Sequence, residues 1–93
     1  MPERAPIRRR VVARGNVQGV FFRDSTRRQA ESRGVTGWVT NTDAGSVEAV
    51  FEGSPEDVDA LVEFCRAGPG RADVEGVEVS REAPEGLSRF EVR

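Results

Sequence analysis

The order in which two hydrophobic periodicities follow one another constrains this chain most. In RRRVVAR (8–14), Val11 and Ala13 alternate with Arg10, Val12 and Arg14, the period-two pattern of a half-buried strand. Residues 22–33 contain neither Gly nor Pro and carry Phe22, Thr26 and Ala30 at helical spacing. They stop at Gly34, and together these features predict a helix. VTGWVTNT (35–42) and SVEAVFEG (46–53) read as strands joined by a turn at DAG (43–45). In the second of them Val47, Ala49 and Phe51 share one face, and Glu48, Val50 and Glu52 the other. A second helix follows. Ser54 suits its N-cap, Pro55 its first helical position, and Glu56 and Asp57 the positive end of its dipole. Val58, Leu61, Val62 and Cys65 fall on one face of it, and Gly68-Pro69 ends it. VEGVEVSRE (74–82) is a further strand with Val77 and Val79 on one face. After the turn APEG (83–86), SRFEVR (88–93) predicts a short last strand with Phe90 and Val92 inward.

The resulting order, β-α-β-β-α-β with a fifth strand, predicts an α+β fold of the ferredoxin-like kind: an antiparallel sheet with two helices on one face. A length of 93 residues bounds the chain to one domain. The domain is expected over residues 8–93, preceded by a flexible N-terminal arm, MPERAPI (1–7), which holds two prolines and little to bury. The formal net charge of −2 argues against a general nucleic-acid or membrane binder. No apolar run approaches a signal peptide or a membrane span. Charge is nonetheless uneven: residues 1–47 hold nine Arg against four Asp or Glu, and residues 48–93 five Arg against twelve. Arg8–Arg10 read as a solvated strand start. The single Cys forbids an intramolecular disulfide, and the cytoplasm is the expected location. There is no His, so no unperturbed side chain is poised to trade protons near neutral pH.

Chemistry concentrates between the first strand and the first helix, in GNVQGVFFRDS (15–25). Backbone N–H groups at a helix start lack intrahelical partners, and the helix dipole favours an anion there. Glycines at 15 and 19 let such groups converge, and Arg23 in the first helical turn adds a planar fork of donors that matches phosphoryl oxygens. Asp24 reads as a first-turn residue that compensates the helix dipole. A second pattern, CRAGPGR (65–71), fits the C-x-x-G-x-x-R loop of cysteine-dependent phosphatases. Such loops follow a strand and feed a helix, whose N-terminus lowers the thiol pKa. Here Cys65 lies at the end of a helix, on its apolar face, so a small buried core residue is expected instead.

Gly15-Asn16-Val17-Gln18-Gly19-Val20-Phe21-Phe22-Arg23 resembles the first signature of the acylphosphatases, G-x-V-Q-G-V-x-[FY]-R, and all seven specified positions match. The second signature of that family is similar to Gly37-Trp38-Val39-Thr40-Asn41 followed by Gly45, Val47 and Gly53. Thr40 departs from it, standing where the family commonly carries Lys, Arg, Gln, Ala or Met. The likeness spans about residues 8–93. It implies a ferredoxin-like hydrolase of acyl phosphates that needs no metal or cofactor. By the same resemblance, Arg23 binds the phosphate, Asn41 orients the attacking water, and the backbone amides of Gly15, Asn16, Val17, Gln18, Gly19 and Val20 hold the phosphoryl oxygens. Inorganic phosphate is then both product and inhibitor.

That chemistry suits a chain without His. An acyl phosphate leaves as a carboxylate, already a stable anion, and needs no general acid. What remains is positioning and charge stabilisation. Gln18 is given a structural role at most and no catalytic one, and Trp38 is expected to pack in the core or on the sheet face. The expected protein is free-standing and monomeric, acting on a small molecule, with no nucleic-acid or membrane partner. The alternative is a non-catalytic ferredoxin-like module that binds phosphate or another small ligand. An RNA-binding sheet would carry aromatics on its central strands; this chain has no Tyr and no such strand.

Overall fold

The computed structural model describes residues 5–93. The arm expected over residues 1–7 lies outside the described residues as far as residue 4. The elements are β1 (Ile7–Asn16), α1 (Phe22–Ser32), β2 (Thr36–Asn41), β3 (Val47–Gly53), α2 (Pro55–Ala67), β4 (Asp73–Glu82) and β5 (Phe90–Val92). Every element read from the sequence is present. The first strand starts at Ile7 because that residue pairs with Gly53 and packs against the core.

The five strands form one sheet in the order β4-β1-β3-β2-β5. β1 lies antiparallel to both β3 and β4, and β2 antiparallel to β3. The sheet is therefore antiparallel except at its last pairing, where β5 runs parallel to β2. Both helices cover one face, α1 over β2 and β5, and α2 over β1 and β4. The helix stripes read from the sequence point inward: Phe22, Thr26 and Ala30 from α1, and Val58, Leu61, Val62 and Cys65 from α2. They meet Val11, Ala13, Val39, Val47, Ala49, Phe51 and Phe90 from the strands. Phe51 and Phe90 stack with centroids 5.9 Å apart, joining the central and last strands through side chains. Ser54 caps α2, accepting the Asp57 amide.

The structure differs from expectation at three places, two of them on the opposite face. Arg8 is buried, not solvated: its guanidinium donates to Glu52 (2.6 Å) and Glu82 (2.7 Å) and lies 3.0 Å from Glu85. Arg8 lies on the same face of β1 as Arg10 and Arg14. What covers it comes from β3, β4 and the following loop, elements more than forty residues away. Val50, on the polar face of β3, is buried between its register partners Arg10 and Trp38, and Arg10 lies over the Trp38 ring. Val92 shares a face with Phe90 but is 43% exposed, because the sheet ends there beside an open cleft.

Candidate active site

That cleft, of about 290 Å³, opens at the N-terminus of α1 and is lined by Val17, Gly19, Phe21, Phe22, Arg23, Asp24, Asn41 and Val92. Four parts of the fold build it: the turn after β1, the first turn of α1, and the adjoining ends of β2 and β5. Buried Val17 and Phe22 fix both ends of the turn in the core. Between them the backbone must swing from strand to helix, and Gly19 takes φ 74° to do so. The amides of Val17, Gln18, Gly19 and Val20 find no acceptor among the described residues. α1 also starts without a side-chain cap. A cluster of unpaired N–H groups at the positive end of a helix attracts an anion.

Phe21 is the N-cap residue of α1, with φ 60° and ψ 25°, and is the one non-glycine residue at positive φ among those described. A side chain held there costs about 1–2 kcal/mol, and the ring is 82% exposed. The sequence gives no sign of this, since nothing in a Phe-Phe pair marks a left-handed residue.

Arg23 is half-buried and donates one N–H to the Arg93 main-chain oxygen at 3.0 Å, leaving the rest of its fork for a ligand. Asn41 closes β2, and its side-chain amide has no partner among the described residues. Asp24 shares the cleft, which on charge alone would repel an anion. It is neutralised by its own helix, through Arg27 at 2.7 Å and Arg28 at 3.0 Å. The hydrogen bond from Arg27 holds its carboxyl below the ordinary aspartate range.

Arg23, Asn41, Val17 and Gly19 thus line one cleft. Gly15, Asn16, Gln18 and Val20 do not line it. Gly15 and Asn16 belong to β1, paired with Val74 and Asp73 across a register shift after Arg14. A Cβ on Gly15 would collide with the Asp73 carbonyl oxygen, so glycine is required there by close packing. Val20 packs partly against the core. Gln18, given no catalytic role from the sequence, has a structural one: Nε2 donates to the Thr42 and Ser46 carbonyls, each at 2.9 Å. This fastens the glycine-bounded turn to the β2–β3 turn that follows Asn41. The signal for it was present, since a residue contributing only its backbone amide need not be Gln.

Cys65 is buried against the core, and burial pushes its thiol up to about 12, the opposite of a nucleophile's shift. Among the described residues no group of three or more Cys, Asp or Glu side chains is arranged to hold a metal ion. No helix among them is long and apolar enough to cross a membrane.

Fold and cleft together define a ferredoxin-like α+β protein with an anion-receptive turn between its first strand and first helix. The acylphosphatase family model matches residues 9–92. An acylphosphatase of Haloarcula marismortui is 55% identical over 89 residues, covering 96% of this chain and 98% of that protein. One of Rubrobacter xylanophilus is 60% identical over 85 residues, covering 90% of this chain and 77% of that protein. The solved structure of an acylphosphatase from Coxiella burnetii superposes with a TM-score of 0.90 at 40% identity, covering 95% of this chain and 93% of that one. The chain belongs to the acylphosphatase family, a family of enzymes.

Proposed function

We propose that this enzyme hydrolyses the carboxyl-phosphate anhydride of acyl phosphates by in-line attack of water at phosphorus. The observation that carries this reading is that Arg23, Asn41, Val17 and Gly19 line one cleft beside a turn whose Val17–Val20 amides are unpaired among the described residues. The phosphoryl group lies against the 15–20 segment, chiefly its Val17–Val20 amides. Arg23 binds two of its oxygens and offsets the charge of the transition state. The Asn41 amide aligns a water with the breaking bond. Water then adds to phosphorus as the P–O bond to the acyl group breaks. The carboxylate leaves with that electron pair, and the water's proton ends on the phosphate or in solvent.

No step needs a side chain that titrates near neutrality, because the leaving carboxylate is stable unprotonated. No metal enters the scheme either. Inorganic phosphate, the product, fits the same cradle and competes with substrate. The protein acts as a monomer in the cytoplasm, where a lone thiol such as Cys65 stays reduced.

The test follows benzoyl phosphate by ultraviolet absorbance with wild type and Arg23→Ala, each with and without EDTA. Rapid, EDTA-insensitive loss that falls by about 10³-fold or more in the mutant is the expected result. A folded Arg23→Ala enzyme with near-normal rate would refute the assignment. A folded wild type with no hydrolysis would leave the turn as an anion-binding site alone.

A further inference from the structure

Two features of Phe21 are unexplained by a phosphoryl cradle. Its backbone sits in a conformation that glycine adopts freely and a bulky residue does not. Its ring is also turned to solvent at 82% exposure, in a fold whose other four Phe residues are all less exposed. Strain of this kind persists where the surroundings or the function hold it. The ring also has a defined position. Phe21 lines both the phosphoryl cleft and a second cleft of about 430 Å³. Gly19, Val20, Phe21, Ser25, Gly70 and Arg71 line that second cleft. The two clefts share Gly19 and Phe21 and nothing else, while Asn41 belongs only to the first.

In-line displacement puts the leaving group opposite the attacking water. With water at Asn41, the departing acyl group points away from that residue, and the second cleft is the neighbour that Asn41 does not line. We propose that Phe21 is the platform on which the acyl group lies and that the second cleft receives its far end. The enzyme then favours acyl phosphates with an aromatic or extended apolar acyl group over those with a small one. This rests on the acyl phosphate reading above and adds the class of acyl group to it. Aromatic faces pair favourably in offset or edge-to-face contact, and the exposed Phe21 ring offers such a face without rearrangement of the core.

The test compares kcat and KM for benzoyl phosphate and acetyl phosphate in wild type, Phe21→Ala and Phe21→Trp. Competitive inhibition by inorganic phosphate, which occupies the first cleft alone, is measured alongside. Wild type should prefer benzoyl phosphate by kcat/KM. Phe21→Ala should shrink that preference by about tenfold, mainly through KM for benzoyl phosphate, and Phe21→Trp should keep it. The phosphate inhibition constant should move by less than about twofold. The platform role is overturned if Phe21→Ala slows both substrates equally, or if phosphate inhibition weakens in step with them. Either result would mean that the ring acts on the cradle. Failure of the underlying functional reading looks different: wild type would then hydrolyse neither substrate.

Discussion

Arg23 and Asn41 enter the cleft from different layers of the fold, one from a helix and one from a strand end, and their replacements should separate. Asn41→Ala removes the group assigned to the water but leaves the cradle intact. It should lose about 10²-fold or more in kcat while inorganic phosphate still binds, measured by competition and by calorimetry. Loss of phosphate binding with turnover spared would reverse the roles of the two residues. That both residues would stand at one place in the fold was legible in the sequence, because each sits in a motif with fixed glycine spacing. Phe21 and Val92 were not legible in this way. The first takes a backbone conformation that its residue type does not announce. The second faces inward by alternation, but exposure depends on where the sheet stops, and alternation is blind to that.

At the scale of elements, the site depends on how turns and strand ends are tied together. Gln18 spans from the glycine-bounded turn to the carbonyls of Thr42 and Ser46. Gln18→Ala removes one hydrogen bond from each of two carbonyls that keep a second donor, the Gly45 amide at Thr42 and the Thr42 amide at Ser46. It should cost about 0.5–1.5 kcal/mol per bond in urea unfolding, with kcat falling as the two turns drift apart. An unchanged kcat in a destabilised variant would show that the fastening serves stability alone. A second tie holds the segment that precedes β5. The Glu52 carboxylate accepts the amides of Glu85, Gly86 and Leu87 as well as Arg8, and so fixes the segment that delivers β5 beside β2. Burial pushes the Glu52 pKa up. The amides, led by that of Glu85, and the Arg8 guanidinium outweigh this and hold it below its ordinary 4.5. A carboxyl lowered in the folded state stabilises fully above its unfolded value and loses that contribution as pH falls through the folded one. Melting temperatures of wild type and Glu52→Gln should therefore differ most above about pH 5 and converge as the solution is acidified. Parallel lines across pH would refute the coupling. The β5 strand itself was legible from Phe90 and Val92. Its parallel direction was not, because period-two patterning carries no sign of which way a neighbour runs.

For the whole molecule, the uneven charge of the sequence finds its meaning in the sheet order. β1 lies between β3 and β4, so Arg8, Arg10 and Arg14 from the arginine-rich half meet Glu48, Glu52, Glu78 and Glu82 from the acidic half. Composition showed the imbalance but not its use, since only the tertiary order brings residue 8 against residue 82. The helix faces, by contrast, were legible to the residue, because burial follows the 3.6 period wherever a helix lies flat on a sheet.

Long-range pairing of this sort leaves few ways to open the molecule in parts, and Cys65 can measure how few. It lies on the inner face of α2 at 1% exposure with its thiol fully protonated at physiological pH. A thiol-specific reagent can reach it only when α2 lifts from the sheet. At reagent concentrations where labelling outpaces reclosing, its rate in native buffer should match the global unfolding rate within a few-fold. Faster labelling would reveal partial opening of α2. The chain carries a clock for its own rare openings, read by chemistry without any engineered probe.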